Sequence, residues 1–424
     1  MLFRRDGHGI PSDGDPRGRV TTRRTWPTLR VIALLAIVAI VAIVASACGR
    51  AGTDAGASTE PAMVPGSATP AVVSLSTGYH ACAVTATGSA HCWGYNGSGQ
   101  LGTGAPSQFA STPTPVVGNL AFRSVVVPSL AEYSCGLVST GDAYCWGANA
   151  DAQLGNGSSG PRFKPTVVSG GVRFVSLSAG RRHVCALNAA GIAYCWGSTA
   201  TGALGDGVIV ESLLVPTVTA PWLSFGSIGA GTGFTCGLTV DGAAHCWGAG
   251  RRGELGGGDS VDSALPVAVA GGMTFRALAV GASHSCALTS AGAAYCWGRN
   301  AVGAAGDGST TLRAAPVAVA GGLTFASIAA GFEITCGVTP SGLAYCWGSN
   351  VVGQLGDGTY TDRTTPTAVS GGLRFRAIAP GLGVTCGVTT DHALYCWGAN
   401  SEGALGDGTV VDRATPGPVS WPSN

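Results

Sequence analysis

Charge is scarce in this 424-residue chain: Asp, Glu, Lys and Arg together make up 11%. There is one lysine, Lys164, and the balance is 23 basic against 22 acidic residues. Seven Arg and three Asp precede Cys48, so 16 basic and 19 acidic residues follow it. A nearly neutral surface without a basic stripe lacks the electrostatic footprint of nucleic-acid binding, and no nucleic-acid partner is expected. Helical periodicity is missing after residue 70, which excludes helix bundles and α/β folds. Cys-x-x-Cys spacings are missing too, so no zinc site, other metal or cofactor is expected. No pair of carboxylates recurs beside a His, and no Ser-His-Asp or Cys-His set can be assembled; the chain is not expected to be an enzyme.

What the chain does have is one fifty-residue unit written seven times. It is marked by Cys-Trp-Gly at Cys92, Cys145, Cys195, Cys246, Cys296, Cys346 and Cys396. A fixed period of this length signals a propeller, solenoid or array. Ten residues before each marker stands a second cysteine: Cys82, Cys135, Cys185, Cys236, Cys286, Cys336 and Cys386. Six residues after it comes Gly88, Gly141, Gly191, Gly242, Gly292 or Gly342, and His392 in the last copy. A Gly fixed between two short apolar runs reads as the left-handed residue of a hairpin turn.

Centring that hairpin puts Cys82 opposite Cys92, Val84 opposite Ala90 and Ala83 opposite His91. The other copies agree. A ring (His91, Tyr144, Tyr194, His245, Tyr295, Tyr345, Tyr395) always faces a small residue (Ala83, Gly136, Ala186, Gly237, Ala287, Gly337, Gly387). A large side chain over a small cross-strand partner suits a pleated pair. On the other face the two cysteines meet, near enough for a disulfide. With one strand ahead of the hairpin and one after the Gly-rich turn, each unit holds four strands. The expected fold is all-β, a seven-bladed propeller of four-stranded blades over residues 71–424.

Fifteen cysteines are fourteen in pairs plus Cys48, which points to an oxidising compartment. The first 47 residues agree. A basic start is followed by the uncharged run Val31 to Ala47 and then Ala45-Ser46-Ala47-Cys48, a secretory leader. The small residues before Cys48 resemble the lipobox of bacterial lipoproteins, in which the Cys becomes the lipidated N-terminus; Ala45 stands where Leu is usual. The alternative is an uncleaved anchor, since 17 apolar residues lie at the short limit of a membrane span. Residues 48–70 are Ala, Gly, Ser, Thr and Pro without periodicity and read as a flexible tether. A cell-envelope or secreted location is expected, with membrane contact through a lipid anchor.

The units resemble those of the regulator of chromosome condensation family. The matching residues are Ile328-x-x-Gly331, Cys346-Trp347-Gly348, Gly353-Gln354-Leu355-Gly356-Asp357-Gly358 and Pro366. The resemblance implies a seven-bladed binding disc. Some members are guanine-nucleotide exchange factors, and a secreted, cysteine-paired bacterial branch inhibits β-lactamases. The cysteine pairs and leader put this chain nearer the secreted branch. The expected function is a non-catalytic protein-binding module at the envelope. The alternatives are a regulator of a protein partner and a binder of cell-wall glycan. A monomer is expected.

The loops before the second strand of each unit are the least regular part of the chain. They supply the candidate partner-binding set: Tyr79, His80, Glu132, Tyr133, Arg181, Arg182, His183, Phe234, His284, Phe332, Glu333 and Leu382. The plain alternative for the histidines is a bond from a strand start to a neighbouring carbonyl. Arg251 and Arg252 form a second candidate patch. The marker tryptophans read as blade-to-blade packing. The Asp of each Gly-Asp-Gly turn reads as a cap of local backbone donors, since one carboxylate is too few for calcium. Ring closure is expected from the first strand near Val72 and the last near Trp421 sharing one blade.

Overall fold

The structure is a computed structural model that describes residues 70–209 and 212–422. The leader, the lipobox residue Cys48 and most of the tether lie outside the described residues. Among those described there are 28 strands and no helix. Blade 1 is the antiparallel meander of β1 (Val72–Thr77), β2 (His80–Thr85), β3 (Ala90–Tyr95) and β4 (Phe109–Pro115). Six more four-stranded sheets of the same order follow along the chain, giving seven blades.

The hairpin register is the one the sequence predicts. Cys82 pairs with Cys92, Ala83 with His91 and Val84 with Ala90, and the other six cysteine pairs lie opposite each other in the same way. All seven pairs are disulfides. Each closes a short loop and is worth about 3 kcal/mol in the chain-entropy model. The turn glycines take φ between 74° and 88°, and His392 takes the same left-handed conformation at 71°. The small residue opposite the ring has a further cause. A Cβ added to Gly136, Gly237, Gly337 or Gly387 would lie 2.4–2.6 Å from Phe122, Phe225, Phe325 or Phe375, at or just before the first strand of the same blade.

The Cys-Trp-Gly glycine is also dictated by geometry. Its φ is 98° to 105° in every blade, and an added Cβ would come within 2.1–2.9 Å of the backbone where the loop enters the second strand. At this glycine the third and fourth strands of each blade shift register, a bulge that starts the long turn on one face.

The tryptophans make the seams. All seven are fully buried. Each donates its indole N–H to a carbonyl in the turn of the preceding blade: Trp146 to Gln100 at 2.8 Å, Trp247 to Ala203 at 2.9 Å, Trp397 to Gln354 at 2.9 Å. Trp93 of blade 1 makes the same bond to Ala404 of blade 7, at 2.9 Å. Closure therefore differs from the expectation of a shared blade. Every blade is four consecutive strands, and the ring closes by repeating its ordinary seam once more. Gly408 N–H bonds Ser111 O at 2.9 Å just as Gly358 N–H bonds Ala414 O at 3.0 Å. Trp421 packs edge-on to His91 and Trp93 and seals the joint. The four-strand periodicity of a blade cannot by itself say which strand follows the joint; the indole bond decides it.

Candidate binding face

In a four-stranded meander the loop between first and second strands and the turn between third and fourth emerge on the same face. That face therefore carries the whole candidate set and also Arg251 and Arg252. The first strands of the blades surround a central cavity of about 270 Å³, walled mostly by small side chains, with Arg181 the one charged group in its lining.

The structure divides the twelve candidate residues. Tyr79, Arg181 and Arg182 are exposed, and Glu132, Phe332, Glu333 and Leu382 are half-buried at the rim. His80, Tyr133, His183, Phe234 and His284 are buried, and so cannot touch a partner as the sequence reading proposed. The reason is positional. They open the second strand, which is sandwiched between neighbouring blades and buried on both faces.

The histidines hold seams. His183 Nε2 lies 2.8 Å from the Thr235 hydroxyl and His284 Nε2 2.8 Å from that of Thr335; His80 Nε2 is 2.6 Å from the Ser134 hydroxyl. Each hydroxyl donates its own proton to a carbonyl of the turn, Thr335 to Ala304 O at 2.8 Å, Thr235 to Ala203 O at 2.8 Å and Ser134 to Gln100 O at 3.0 Å. The hydroxyl proton is committed, so the imidazole must donate through Nε2. The partner is thus a hydroxyl across the seam rather than a carbonyl. Burial favours the neutral ring and lowers the pKa of His80 to about 3 and of His183 and His284 to about 4. Tyr133 bridges its seam differently, donating to Gly180 O at 2.7 Å; its own pKa is raised well above the usual value by burial and then by Asp151.

Along the rim, one position of each loop lies against the preceding blade's turn. The Ser98 hydroxyl donates to Glu132 at 2.5 Å, and Arg182 lies 3.6 Å from Asp151. Thr201 donates to Gly233 O at 2.5 Å, and Arg252 reaches the Ser283 hydroxyl at 3.4 Å. Arg299 pairs with Glu333, and Val352 packs against Gly383. Across the closing seam, Tyr79 and Glu402 line one cavity. Glu333 holds a left-handed φ of 55° where blades 4 and 7 use Gly233 and Gly383. Sequence reasoning missed Tyr95, Asp151, Arg299 and Glu402. A signal existed for Asp151 and Arg299: loop and turn positions sit about 31–34 residues apart, as in Asp151 with Arg182 and Ser98 with Glu132.

The Gly-Asp-Gly carboxylates stay within their turns, as expected. Asp357 accepts from the Thr359 amide at 2.9 Å and hydroxyl at 2.7 Å and from Arg363 at 2.9 Å. Burial opposes ionisation there, but these bonds outweigh it and its pKa is lowered. Among the described residues no group of three or more His, Cys, Asp or Glu could hold a metal ion. The opposite face shows Trp222, 62% exposed, between blades 3 and 4.

Residues 41–383 match the family model of the RCC1-like domain, and residues 391–424 that of the Regulator of chromosome condensation (RCC1) repeat. The chain is 32% identical over 193 residues to the Ultraviolet-B receptor UVR8 of Arabidopsis thaliana, which is 45% of this chain and 44% of the receptor. It is 32% identical over 194 residues to the E3 ubiquitin-protein ligase HERC2 of Homo sapiens, 44% of this chain but 4% of the ligase. Each match thus spans less than half of the relative's length. Among solved structures, human WBSCR16 superposes with a TM-score of 0.71 at 20% identity, covering 78% of this chain and 94% of that one. Prp20p of Saccharomyces cerevisiae gives 0.65 at 22%, covering 73% and 80%. At those identities the likeness is one of fold.

Proposed function

The chain belongs to the RCC1-like domain family, and from that premise we propose that it is a non-catalytic propeller that binds a protein partner through the face bearing Tyr79 and Arg182. The observation that carries this reading is the contrast between scaffold and rim. Seven copies repeat the cysteines, the tryptophan and the Cys-Trp-Gly glycine, while the rim positions change from blade to blade, among ion pairs, hydroxyl bonds and apolar or small residues. Variable loops carried on a repeated, disulfide-stapled ring suit recognition. Seven disulfides favour an oxidising compartment. The leader and Cys48 extend this to lipid anchoring at the outer side of a cell envelope, with residues 48–70 as the tether.

The experiment is cross-linking of the full chain in its own envelope, with variants on both faces. Arg182→Glu with Phe332→Ala should abolish capture of the partner, and Trp222→Ala should leave it intact. The reverse pattern would move the binding face to the other side. Recovery of glycan in place of a protein would favour cell-wall binding.

A second reading concerns what the bound partner experiences. Prp20p, which shares the fold, binds Gsp1p and histones, so the same face is a candidate regulator of a GTPase or another enzyme. Nucleotide exchange and enzyme inhibition, measured on the captured partner, test it. Lipidation is tested by metabolic palmitate labelling, which Cys48→Ser should abolish.

A further inference from the structure

At the closing seam the rim departs from its own pattern. Where a charged group stands at the other meetings, the opposite seam residue or a near neighbour supplies its hydrogen bond or countercharge. Here the turn residue is Glu402 and the loop residue is Tyr79. Among the described residues Glu402 is half-buried and makes no hydrogen bond or ion pair. It lines a cavity of about 400 Å³ together with Tyr79, Tyr95, Glu132 and Leu382. One oxygen of Glu132 takes the Ser98 hydroxyl at 2.5 Å, and the other has no protein partner among the described residues. No lining residue is basic.

The rings are special to this pocket. Tyr95 stands where the other blades hold Ala148, Ser198, Ala249, Arg299, Ser349 and Ala399. Tyr79 stands where they hold Glu132, Arg182, Gly233, Ser283, Glu333 and Gly383. Two carboxylates facing a partly enclosed, ring-walled space lose hydration without a countercharge. An anion entering it meets repulsion, and a neutral apolar group leaves both carboxylates uncompensated. A planar cation meets opposite charge and aromatic faces together.

Resting on the reading of this face as the partner site, we propose that the pocket between blades 7, 1 and 2 receives an arginine side chain of the bound protein. Arginine fits better than lysine because its fork can engage two carboxylates while its plane lies on a ring. The cavity has room for a guanidinium and its methylene stem.

The test titrates the full chain with N-acetyl-arginine amide and with its neutral isostere N-acetyl-citrulline amide, read by ligand-observed NMR. The arginine amide should bind, the citrulline amide about tenfold more weakly or worse, and Glu132→Gln with Glu402→Gln should cost the arginine amide about tenfold. Tyr79→Ala with Tyr95→Ala should weaken it by about three- to tenfold. No binding of the arginine amide, equal binding of citrulline, or an unchanged double-Gln variant each overturns the proposal.

Envelope cross-linking with the same double-Gln variant separates this inference from the one beneath it. Loss of partner capture supports the pocket. Undiminished capture overturns the pocket but leaves the face assignment standing, and it assigns any arginine-amide binding to a free organic cation. No capture even by the unaltered chain defeats the reading of the face itself.

Discussion

Replacing one seam histidine should reverse the order of stability between variant and parent as the pH falls. His284 is buried with its Nε2 on Thr335, and burial lowers its pKa from the usual 6.5 to about 4. An imidazole in the unfolded chain keeps a pKa near 6.5, so between those values the unfolded state binds more protons. Stability is then undiminished above about pH 6.5 and is lost as the pH falls toward 4. At about 1.4 kcal/mol per pKa unit, a drop of roughly 2.5 units costs about 3 kcal/mol by pH 4. His284→Phe copies Phe234, which occupies the same place in blade 4. The variant gives up one hydrogen bond, about 1 kcal/mol at pH 7. The Thr335 hydroxyl keeps its bond to Ala304 O. Guanidinium unfolding at pH 7, 5.5 and 4 should find the variant weaker by about 1 kcal/mol at pH 7 and stronger by about 2 kcal/mol at pH 4. The Asp307, Asp357 and Asp407 carboxylates titrate in both proteins and cancel in the difference. Curves that stay parallel from pH 7 to 4 would refute the reasoning.

Other consequences follow from the seams and turns. Trp93→Ala at the closing joint should cost about 3–5 kcal/mol in chemical unfolding, as much as Trp347→Ala at an internal one; a negligible cost for Trp93 would mean that the ring is not held there. Mass analysis without reductant should find all fourteen paired cysteines oxidised, and reduction should lower the thermal midpoint sharply; free thiols would remove the argument for an oxidising compartment. His392→Gly should raise stability by about 0.5–1 kcal/mol by relieving a left-handed residue, and a loss there would show that the His side chain contributes more than its strain removes.

The blade was legible because its constraints repeat. Cys82 with Cys92 and Ala83 with His91 each suggest a register, and seven copies leave one solution. The turn glycine and its stand-in His392 were readable for the same reason. Closure was not readable, because a four-strand repeat can be cut at any strand without changing its pattern. The indole bond from Trp93 to Ala404 joins residues 311 apart, beyond any local signal. The candidate site was half legible. Its variable loops stand out against the repeat, and Tyr79 and Arg182 are exposed there. Yet the second strand is buried on both faces, so nothing in its pattern separates a rim residue such as Arg182 from a seam residue such as His183. The countercharges lie in another blade's turn, where only comparison of one copy with the next reveals them.

Hydrogen exchange on the chain with its cross-linked partner bound tests the central claim most directly. Protection should concentrate in the loops at 78–80, 131–133, 181–183 and 331–333 and in the turn at 400–403, with the loops at 117–121 and 220–224 on the other face unchanged. Protection confined to the Trp222 face would contradict the account.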